Sequence, residues 1–185
     1  MSNSHKAQLS SPWAEFLEEL DALLPEQVEL HCVGGFVVSL FYGLPRPTAD
    51  IDYVSVLPDE RVNELQAMAG QDSALARKYK IHVQHVAVNS LPEDYEARLA
   101  EMFCDRFKHL RLRALDPYDL ILSKLERNSH KDRDDVGYLA KALRLKPEVL
   151  RERYMKELRP YLVNQDRHDL TLDLWLGSLF QEPSS

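Results

Sequence analysis

The chain has 185 residues, of which 44% are hydrophobic, and its formal net charge is −7 at pH 7. This length suits one domain, or a core domain with a helical appendage, and the hydrophobic fraction is sufficient for a buried core. No apolar run reaches about 18 residues, which excludes a membrane-spanning helix. The negative charge gives no general attraction for nucleic acid, so that only a local basic face would bind it.

The first residues and the two cysteines indicate where the protein works. Residues 1–11 are polar, contain no signal-peptide core and are predicted to be a disordered lead-in. Cys32 and Cys104 lie among apolar residues and are interpreted as reduced core residues of a cytoplasmic protein. Apolar residues then recur at three- and four-residue spacing over 12–24, which predicts an amphipathic helix that covers a sheet.

Residues 28–57 carry the most informative pattern of the chain. An apolar run over 28–33 predicts a buried strand, and a Gly-Gly pair then opens an apolar stretch with helical spacing. Residues 50–57 predict a second strand, on which Asp50 and Asp52 project from the same face, roughly 7 Å apart. Because two buried carboxylates repel each other, this pair predicts a hard cation such as Mg²⁺ beside them.

Gly34 and Gly35 complete this pattern. Glycine permits a sharp turn and a close approach of a phosphate to the backbone. The helix that begins there directs free N–H groups and the positive end of its dipole toward that phosphate. An anion site and a carboxylate pair on neighbouring elements predict binding of a metal–nucleoside triphosphate.

The segment from Val33 to Val56 resembles the nucleotidyltransferase superfamily, which has the polymerase-beta-like fold. The resemblance depends on the Gly-Gly turn and on the motif Arg-x-Thr-x-Asp-Ile-Asp, which here contains Arg46, Thr48, Asp50 and Asp52. The longer form Gly-Gly…Tyr-Gly-x-x-Arg-x-Thr-x-Asp-Ile-Asp is most similar to the AbiEii-type toxins and their uncharacterised bacterial relatives.

The resemblance implies a fold and a site. It implies an α/β core over residues 12–115, with a short mixed sheet flanked by helices, followed by a helical C-terminal part over residues 116–181. It implies Mg²⁺, or Mn²⁺ in its place, held by Asp50 and Asp52, and a nucleoside triphosphate as substrate. The residues expected to bind the nucleotide are Gly34, Gly35, Arg46, Thr48 and Lys124.

One position departs from the superfamily pattern. The third predicted strand, residues 81–88, is where the superfamily usually has a third carboxylate, and this sequence has Gln84 and His85 there. This predicts weaker metal binding, an acid supplied from elsewhere, or a degenerate site. His82 and His85 are expected on opposite faces of the strand, which argues against a zinc site.

The remaining elements of the core are predicted as a helix over residues 58–69, a helix or loop over 92–103, and a strand over 107–115. In that strand Leu110, Leu112 and Ala114 share one face. The opposite side is basic, and is either a solvated edge face or a surface that meets phosphates. Its residues are Arg106, Lys108, His109, Arg111 and Arg113.

A second motif lies in the helical part. A helix is predicted over residues 118–127 after the Asp-Pro start at 116–117, and another begins near residue 131. The resemblance implies that Lys124 contacts the triphosphate. Asp132 and Asp135 share a helix face, and they orient Lys124, Arg46 or Arg127, act as a general base, or form a salt-bridged turn between helices.

Residues 141–159 are predicted to form a pair of helices, and residues 181–185 to form a tail. A helix from Pro147 has an apolar stripe that includes Leu150, Tyr154, Leu158 and Leu162, and its cations are either a solvated face or a surface for tRNA. These cations are Arg151, Arg153, Lys156 and Arg159. A final amphipathic helix over 169–180, with Leu170, Leu174, Trp175 and Leu179, is expected to pack on the helical part or on a second subunit of a homodimer.

The sequence thus predicts a Mg²⁺-dependent nucleotidyltransferase that acts on a hydroxyl of an RNA, a protein or a small molecule. The toxin resemblance implies tRNA or another RNA as acceptor and a cognate antitoxin as partner. The alternative, motivated by Gln84 in place of a carboxylate, is a catalytically inactive nucleotide-binding or protein-interaction module on the same fold.

Overall fold

The computed structural model describes residues 9–87 and 91–180. By its contacts the chain divides into two compact units: a sheet unit, with residues 9–87 and 99–115, and a helical unit, with residues 91–98 and 116–180. Residues 1–8 of the predicted lead-in, residue 88 of the predicted third strand and residue 181 of the predicted helical part lie outside the described residues.

The sheet unit contains a five-stranded mixed sheet with the strand order β3-β2-β1-β5-β4. β1 is antiparallel to β2 and parallel to β5, β2 is parallel to β3, and β4 is antiparallel to β5. This confirms the predicted α/β class with a mixed sheet, flanking helices and a helical C-terminal part. The strands are β1 (Val28–Cys32), β2 (Asp50–Leu57), β3 (His82–His85), β4 (Ala100–Met102) and β5 (Leu110–Ala114).

The two faces of the sheet differ in polarity. Strand register places the buried apolar side chains on one face, as the predicted alternation of Leu110, Leu112 and Ala114 requires. The opposite face carries polar side chains from all five strands, including Asp50 and Asp52. A β-bulge on β2, opposite His31 and Cys32, allows both Tyr53 and Val56 to remain buried on the apolar face.

Helices cover the apolar side of this unit. Phe16, Leu17 and Leu20 of α1 are fully buried, and the carboxylate of Asp21 accepts N–H bonds from residues 108–110 at the start of β5. The helices are α1 (Trp13–Leu23), α2 (Gly34–Phe36), α3 (Val62–Ala69) and α4 (Ala74–Tyr79), and α2 continues as a π-helical segment over Val37–Phe41.

Three expectations for the sheet unit were wrong. Residues 92–103 contain strand β4, which has only three residues and therefore gives little periodicity. β5 is not an edge strand, and two arginines of its basic side are ion-paired, Arg111 with Glu101 and Arg113 with Glu29. Cys104 is exposed, whereas Cys32 is buried as expected.

The helical unit differs from the prediction at two helices. α5 ends at Leu122, and the N–H groups of Lys124 and Leu125 bond to carbonyls three residues back, which tightens the chain into turns. On α8, Leu170 and Leu174 are exposed, while His168 and Thr171 are buried and bond to carbonyls four residues back in the chain. The helices are α5 (Pro117–Leu122), α6 (His130–Ala142), α7 (Pro147–Arg153) and α8 (Gln165–Ser178).

Ion pairs hold residues 91–98 within the helical unit. Arg98 donates to the buried carboxylate of Asp119 at 2.9 and 3.2 Å and to Glu157 at 2.7 Å. Arg153 of α7 also binds Asp119, at 2.8 Å. Within the described residues no helix is long and apolar enough to cross a membrane.

Candidate active site

The carboxylates of Asp50 and Asp52 lie on the polar face of β2, and both residues are half-buried. They alternate with the buried Ile51 and Tyr53, as the strand period requires. The Thr48 hydroxyl donates to Asp50 Oδ1 at 2.9 Å. A hydroxyl just before the strand therefore orients the first carboxylate of the pair.

The turn between β1 and α2 is fitted to the second carboxylate. The Val33 N–H donates to the Asp52 carbonyl oxygen at 2.9 Å, and Gly34 follows with φ +71°. A Cβ on Gly34 would lie 2.2 Å from Asp52 Oδ2, which no side chain permits. Only glycine suits this position, because the backbone angle and the neighbouring carboxylate both exclude a side chain.

The helix that begins at Gly34 is anchored in the core. Phe36, Val37 and Val38 are buried, and the Phe36 ring lies 5.2 Å from the ring of Trp13. N–H groups in the first turn of a helix have no partner within the helix, so those near Gly35 are available to an anion. The core thus fixes the turn at Gly34 directly beside Asp52.

Arg46 lies in the irregular segment that leads into β2. Its side chain is half-buried, and its backbone N–H donates to the Leu44 carbonyl at 2.7 Å. Two residues later Thr48 reaches Asp50. The predicted nucleotide-binding residues Gly34, Gly35, Arg46 and Thr48 therefore belong to the same unit as the carboxylate pair.

The position predicted for a third carboxylate is occupied by Gln84. Strand pairing places Gln84 opposite Asp52 and His82 opposite Asp50, on the same face. His85 pairs with Tyr53 on the other face, so that His82 and His85 point apart as predicted. Among residues 9–87 and 91–180 no group of three or more His, Cys, Asp or Glu side chains is arranged to hold a metal.

Cys32 lies behind the carboxylate pair, on the buried face of β1. Burial raises the pKa of its thiol far above the ordinary range, and the negative charge of Asp52 raises it further. This thiol therefore stays protonated and serves as core packing.

The second predicted cluster lies in the helical unit. Lys124 follows α5, its side chain is 4% exposed, and its Nζ lies 2.9 Å from Asp135 Oδ2 and 3.5 Å from Asp132 Oδ1. Both aspartates project from α6 and are buried. The structure thus brings these three predicted residues together, in an ion-paired cluster between two helices.

Asp132 also caps α6 and binds a second cation. Its carboxylate accepts from Arg127 Nε at 2.8 Å and Nη2 at 2.6 Å, and from Ser129 N and Oγ at 3.0 and 2.7 Å. Burial alone would raise the pKa of Asp132, but the hydrogen bonds from Arg127 and Ser129 hold it well below its usual range. The sequence interpretation missed the role of Ser129, although Ser-x-x-Asp is a capping signal.

In a scan against protein families, residues 13–174 match the family described as "Nucleotidyltransferase of unknown function (DUF6036)". The comparisons with curated proteins and with solved structures gave no significant match. The matched range includes the glycine turn, the β2 carboxylates and the Lys124 cluster. The chain therefore belongs to this family of nucleotidyltransferases, whose function is unknown.

Proposed function

We propose that the protein transfers a nucleotidyl group from a nucleoside triphosphate to an acceptor hydroxyl, with a divalent cation held by Asp50 and Asp52. The observation that carries this proposal is the position of the Asp52 carboxylate against Gly34, at the turn that opens α2. Membership of a nucleotidyltransferase family supports the same class of reaction.

The two carboxylates fit a hard cation. Asp50 and Asp52 share one face of β2, and their oxygens are the ligands that Mg²⁺ and Mn²⁺ prefer. Because residue 34 is glycine, the Asp52 carboxylate can lie directly against the turn, in the place that a side chain would otherwise fill. When bound, the cation would neutralise charge on the phosphate oxygens.

The protein residues supply positioning. The N–H groups of the turn at Gly34 and Gly35 bind the phosphates, and Thr48 holds Asp50 in its orientation. The acceptor oxygen forms a bond to the α-phosphorus as the bond between the α-phosphorus and the bridging oxygen breaks. Diphosphate leaves, and the hydroxyl proton passes to solvent or to a carboxylate.

Lys124 enters this proposal as the cation that the superfamily resemblance implies for the triphosphate. Its Nζ lies 2.9 Å from Asp135 Oδ2, so contact with a phosphate requires exchange of that carboxylate for a phosphate oxygen. Asp132 and Asp135 then act by holding Lys124 and Arg127. A role as general base is disfavoured for Asp132, because its lowered pKa makes it a weak base.

The resemblance to AbiEii-type toxins supports RNA as the acceptor, with a cognate antitoxin as partner. Expression of the wild-type chain alone tests the toxin role. Arrested growth that is relieved by Asp52→Asn supports it, and normal growth with abundant active protein contradicts it.

Transfer is tested by incubating the protein with a cell extract and each of the four α-labelled nucleoside triphosphates, with and without Mg²⁺. We expect label in RNA, protein or a small molecule that depends on Mg²⁺ and falls at least about 10³-fold in Asp52→Asn. Asp72→Asn, an exposed aspartate of the same unit, is the matched control. Equal transfer by wild type and Asp52→Asn contradicts the proposal.

A second candidate is a nucleotide-binding module without catalysis, and Gln84 opposite Asp52 is the observation that favours it. A neutral amide binds a divalent cation more weakly than a carboxylate does. Thermal stabilisation by Mg²⁺ and a non-hydrolysable triphosphate, without transfer in any extract, supports this module. Gain of transfer in Gln84→Asp would identify the missing acid.

A further inference from the structure

The cations of the helical unit fall into two groups. Among its described residues, every Lys and Arg outside residues 131–146 forms an ion pair with a carboxylate. These are Arg98, Lys124, Arg127, Arg151, Arg153, Lys156, Arg159 and Arg167. The tRNA surface predicted at 151–159 is therefore neutralised by its own neighbours, for example by Asp173, which lies 2.7 Å from Arg151.

Residues 131–146 behave differently. Five cations there are exposed, and none forms an ion pair with a carboxylate within the described part of the chain. Arg133 donates instead to the carbonyl and side-chain oxygens of Asn128. We call this set the α6 cation surface, and its members are Lys131, Arg133, Lys141, Arg144 and Lys146.

The acids of the same segment do little to offset this charge. Asp132 and Asp135 are buried and bound to Lys124. Asp134 is exposed, and its Oδ2 lies 3.0 Å from His130 Nδ1. Five exposed positive charges thus accompany one exposed carboxylate, in a chain whose net charge is −7. The surface is a local positive field in an acidic protein.

A groove lies at two members of this surface, Arg133 and Lys141. Its volume is about 630 Å³, and it is lined by Arg133, Asp134, Gly137, Tyr138, Lys141, Ala142 and Leu179. One row along α6 contains Arg133, Gly137 and Lys141, at intervals of four residues. The glycine therefore lies between the two cations, whose positions on the helix are roughly 12 Å apart. The half-buried ring of Tyr138 lines the groove beside this row.

We propose that the α6 cation surface binds the backbone of a single-stranded nucleic acid, with phosphates on Arg133 and Lys141 and a base against Tyr138. Cations that follow a groove with an aromatic side chain are the usual means of binding such strands without sequence preference. An acidic peptide offers no base to stack on Tyr138, and a flat bilayer would meet only the rim of a groove. The inference deepens the proposed function, because the bound strand would be the acceptor.

The test measures binding of a fluorescent 20-nucleotide single-stranded RNA by anisotropy, in EDTA and without nucleotide. We expect affinity to fall with salt, and Arg133→Glu/Lys141→Glu to weaken binding at least about tenfold. The matched control is Arg151→Glu/Lys156→Glu, which makes the same change in net charge at ion-paired positions. It should retain affinity within about threefold. Equal loss in both double variants overturns the proposal, since only net charge would then matter.

A milder variant keeps the test valid if charge reversal disturbs folding. Arg133→Gln/Lys141→Gln removes two phosphate contacts, so the slope of log affinity against log salt should become shallower by about 1.4. Tyr138→Leu should weaken RNA binding while leaving that slope unchanged. A polyglutamate peptide that binds as tightly as RNA, with no effect of Tyr138→Leu, would contradict a nucleic-acid site.

These results separate the inference from the proposed function. Asp50→Asn/Asp52→Asn should bind the RNA as wild type does. If no extract shows transfer while Arg133 and Lys141 still control RNA binding, the proposed function fails alone. If label enters RNA but the charge variants bind and react as wild type does, this inference fails alone.

Discussion

The aspartates of α6 and those of β2 differ in burial. Asp132 and Asp135 on α6 are buried and bound by Lys124 and Arg127. Asp50 on β2 is half-buried and accepts from the Thr48 hydroxyl, and it forms no ion pair with any described residue. The comparison shows that spacing alone places carboxylates side by side, whereas their burial and the neighbouring cations distinguish the ion-paired cluster on α6 from the half-buried Asp50 on β2.

Removing the cation of the α6 pair should give the largest change in stability. Lys124→Met leaves buried carboxylates without their ammonium partner, and we expect a loss of about 3–5 kcal/mol in the free energy of unfolding, measured by urea denaturation. The control Lys156→Met breaks an exposed pair and should leave the free energy of unfolding nearly unchanged. Asp50→Asn should cost no more than that control, and a larger loss would show that the β2 pair is also structural.

Gly34→Ala should be the next most damaging change. Alanine at φ +71° is strained, and its Cβ must displace the carboxylate of Asp52. We therefore expect the free energy of unfolding to fall by about 2–4 kcal/mol. We also expect Mg²⁺-triphosphate to produce no thermal shift in this variant. Gly177→Ala is the matched control, since no atom lies within 4 Å of the added Cβ. It should raise stability by about 0.5–1 kcal/mol, because glycine is unfavourable inside a helix. If Gly34→Ala binds Mg²⁺-triphosphate as wild type does, the turn at Gly34 is not part of the nucleotide site.

Acid should weaken the α6 pair. The pKa of Asp132 is lower in the folded protein than its value of about 3.9 in an unfolded chain. Its contribution to stability is therefore complete above that value and is lost as the pH falls below about 4. The difference in unfolding free energy between wild type and Asp132→Asn should shrink from pH 6 to pH 3. Parallel curves would contradict this assignment.

The smallest effect is expected at Thr48. Thr48→Val keeps the shape of the side chain and removes the hydrogen bond to Asp50, so the affinity for Mg²⁺ measured by calorimetry should fall about tenfold. Thr48→Ser retains the hydroxyl and should restore most of that affinity. If both variants bind as wild type does, Thr48 shapes the loop and does not orient the carboxylate.

Much of the sheet unit follows from local sequence. Alternation along β2 predicts the shared face of Asp50 and Asp52, and the Gly-Gly pair predicts the turn before α2. The sequence does not show that Asp52 Oδ2 occupies the place of a Gly34 side chain, because that contact joins residues 18 positions apart and depends on strand register.

The sequence did not show which charged side chains form ion pairs with residues of other elements. Residues 106–113 and 151–159 are basic, yet their arginines have carboxylate partners from other elements, such as Glu29 and Asp173. The exposed cations of 131–146 are interleaved with aspartates, and only the burial of Asp132 and Asp135 shows that those acids do not reach the surface. On α8, Thr171 is buried because it bonds to its own helix, a contact that hydrophobic periodicity ignores.

The ion pairs of Arg98 have a consequence for how this protein can be divided. Residues 91–98 lie between two strands in the chain but belong in space to the helical unit, where Arg98 binds Asp119 of α5 and Glu157, which follows α7. A fragment truncated after Leu115 would keep Arg98 but lose Asp119 and Glu157. Residues 91–98 would then lack the ion pairs that hold them, and the Arg98 guanidinium would lose these carboxylate partners. The helical unit therefore cannot be exchanged by a single junction at residue 115, and a chimera that takes these helices from this protein would also have to include residues 91–98.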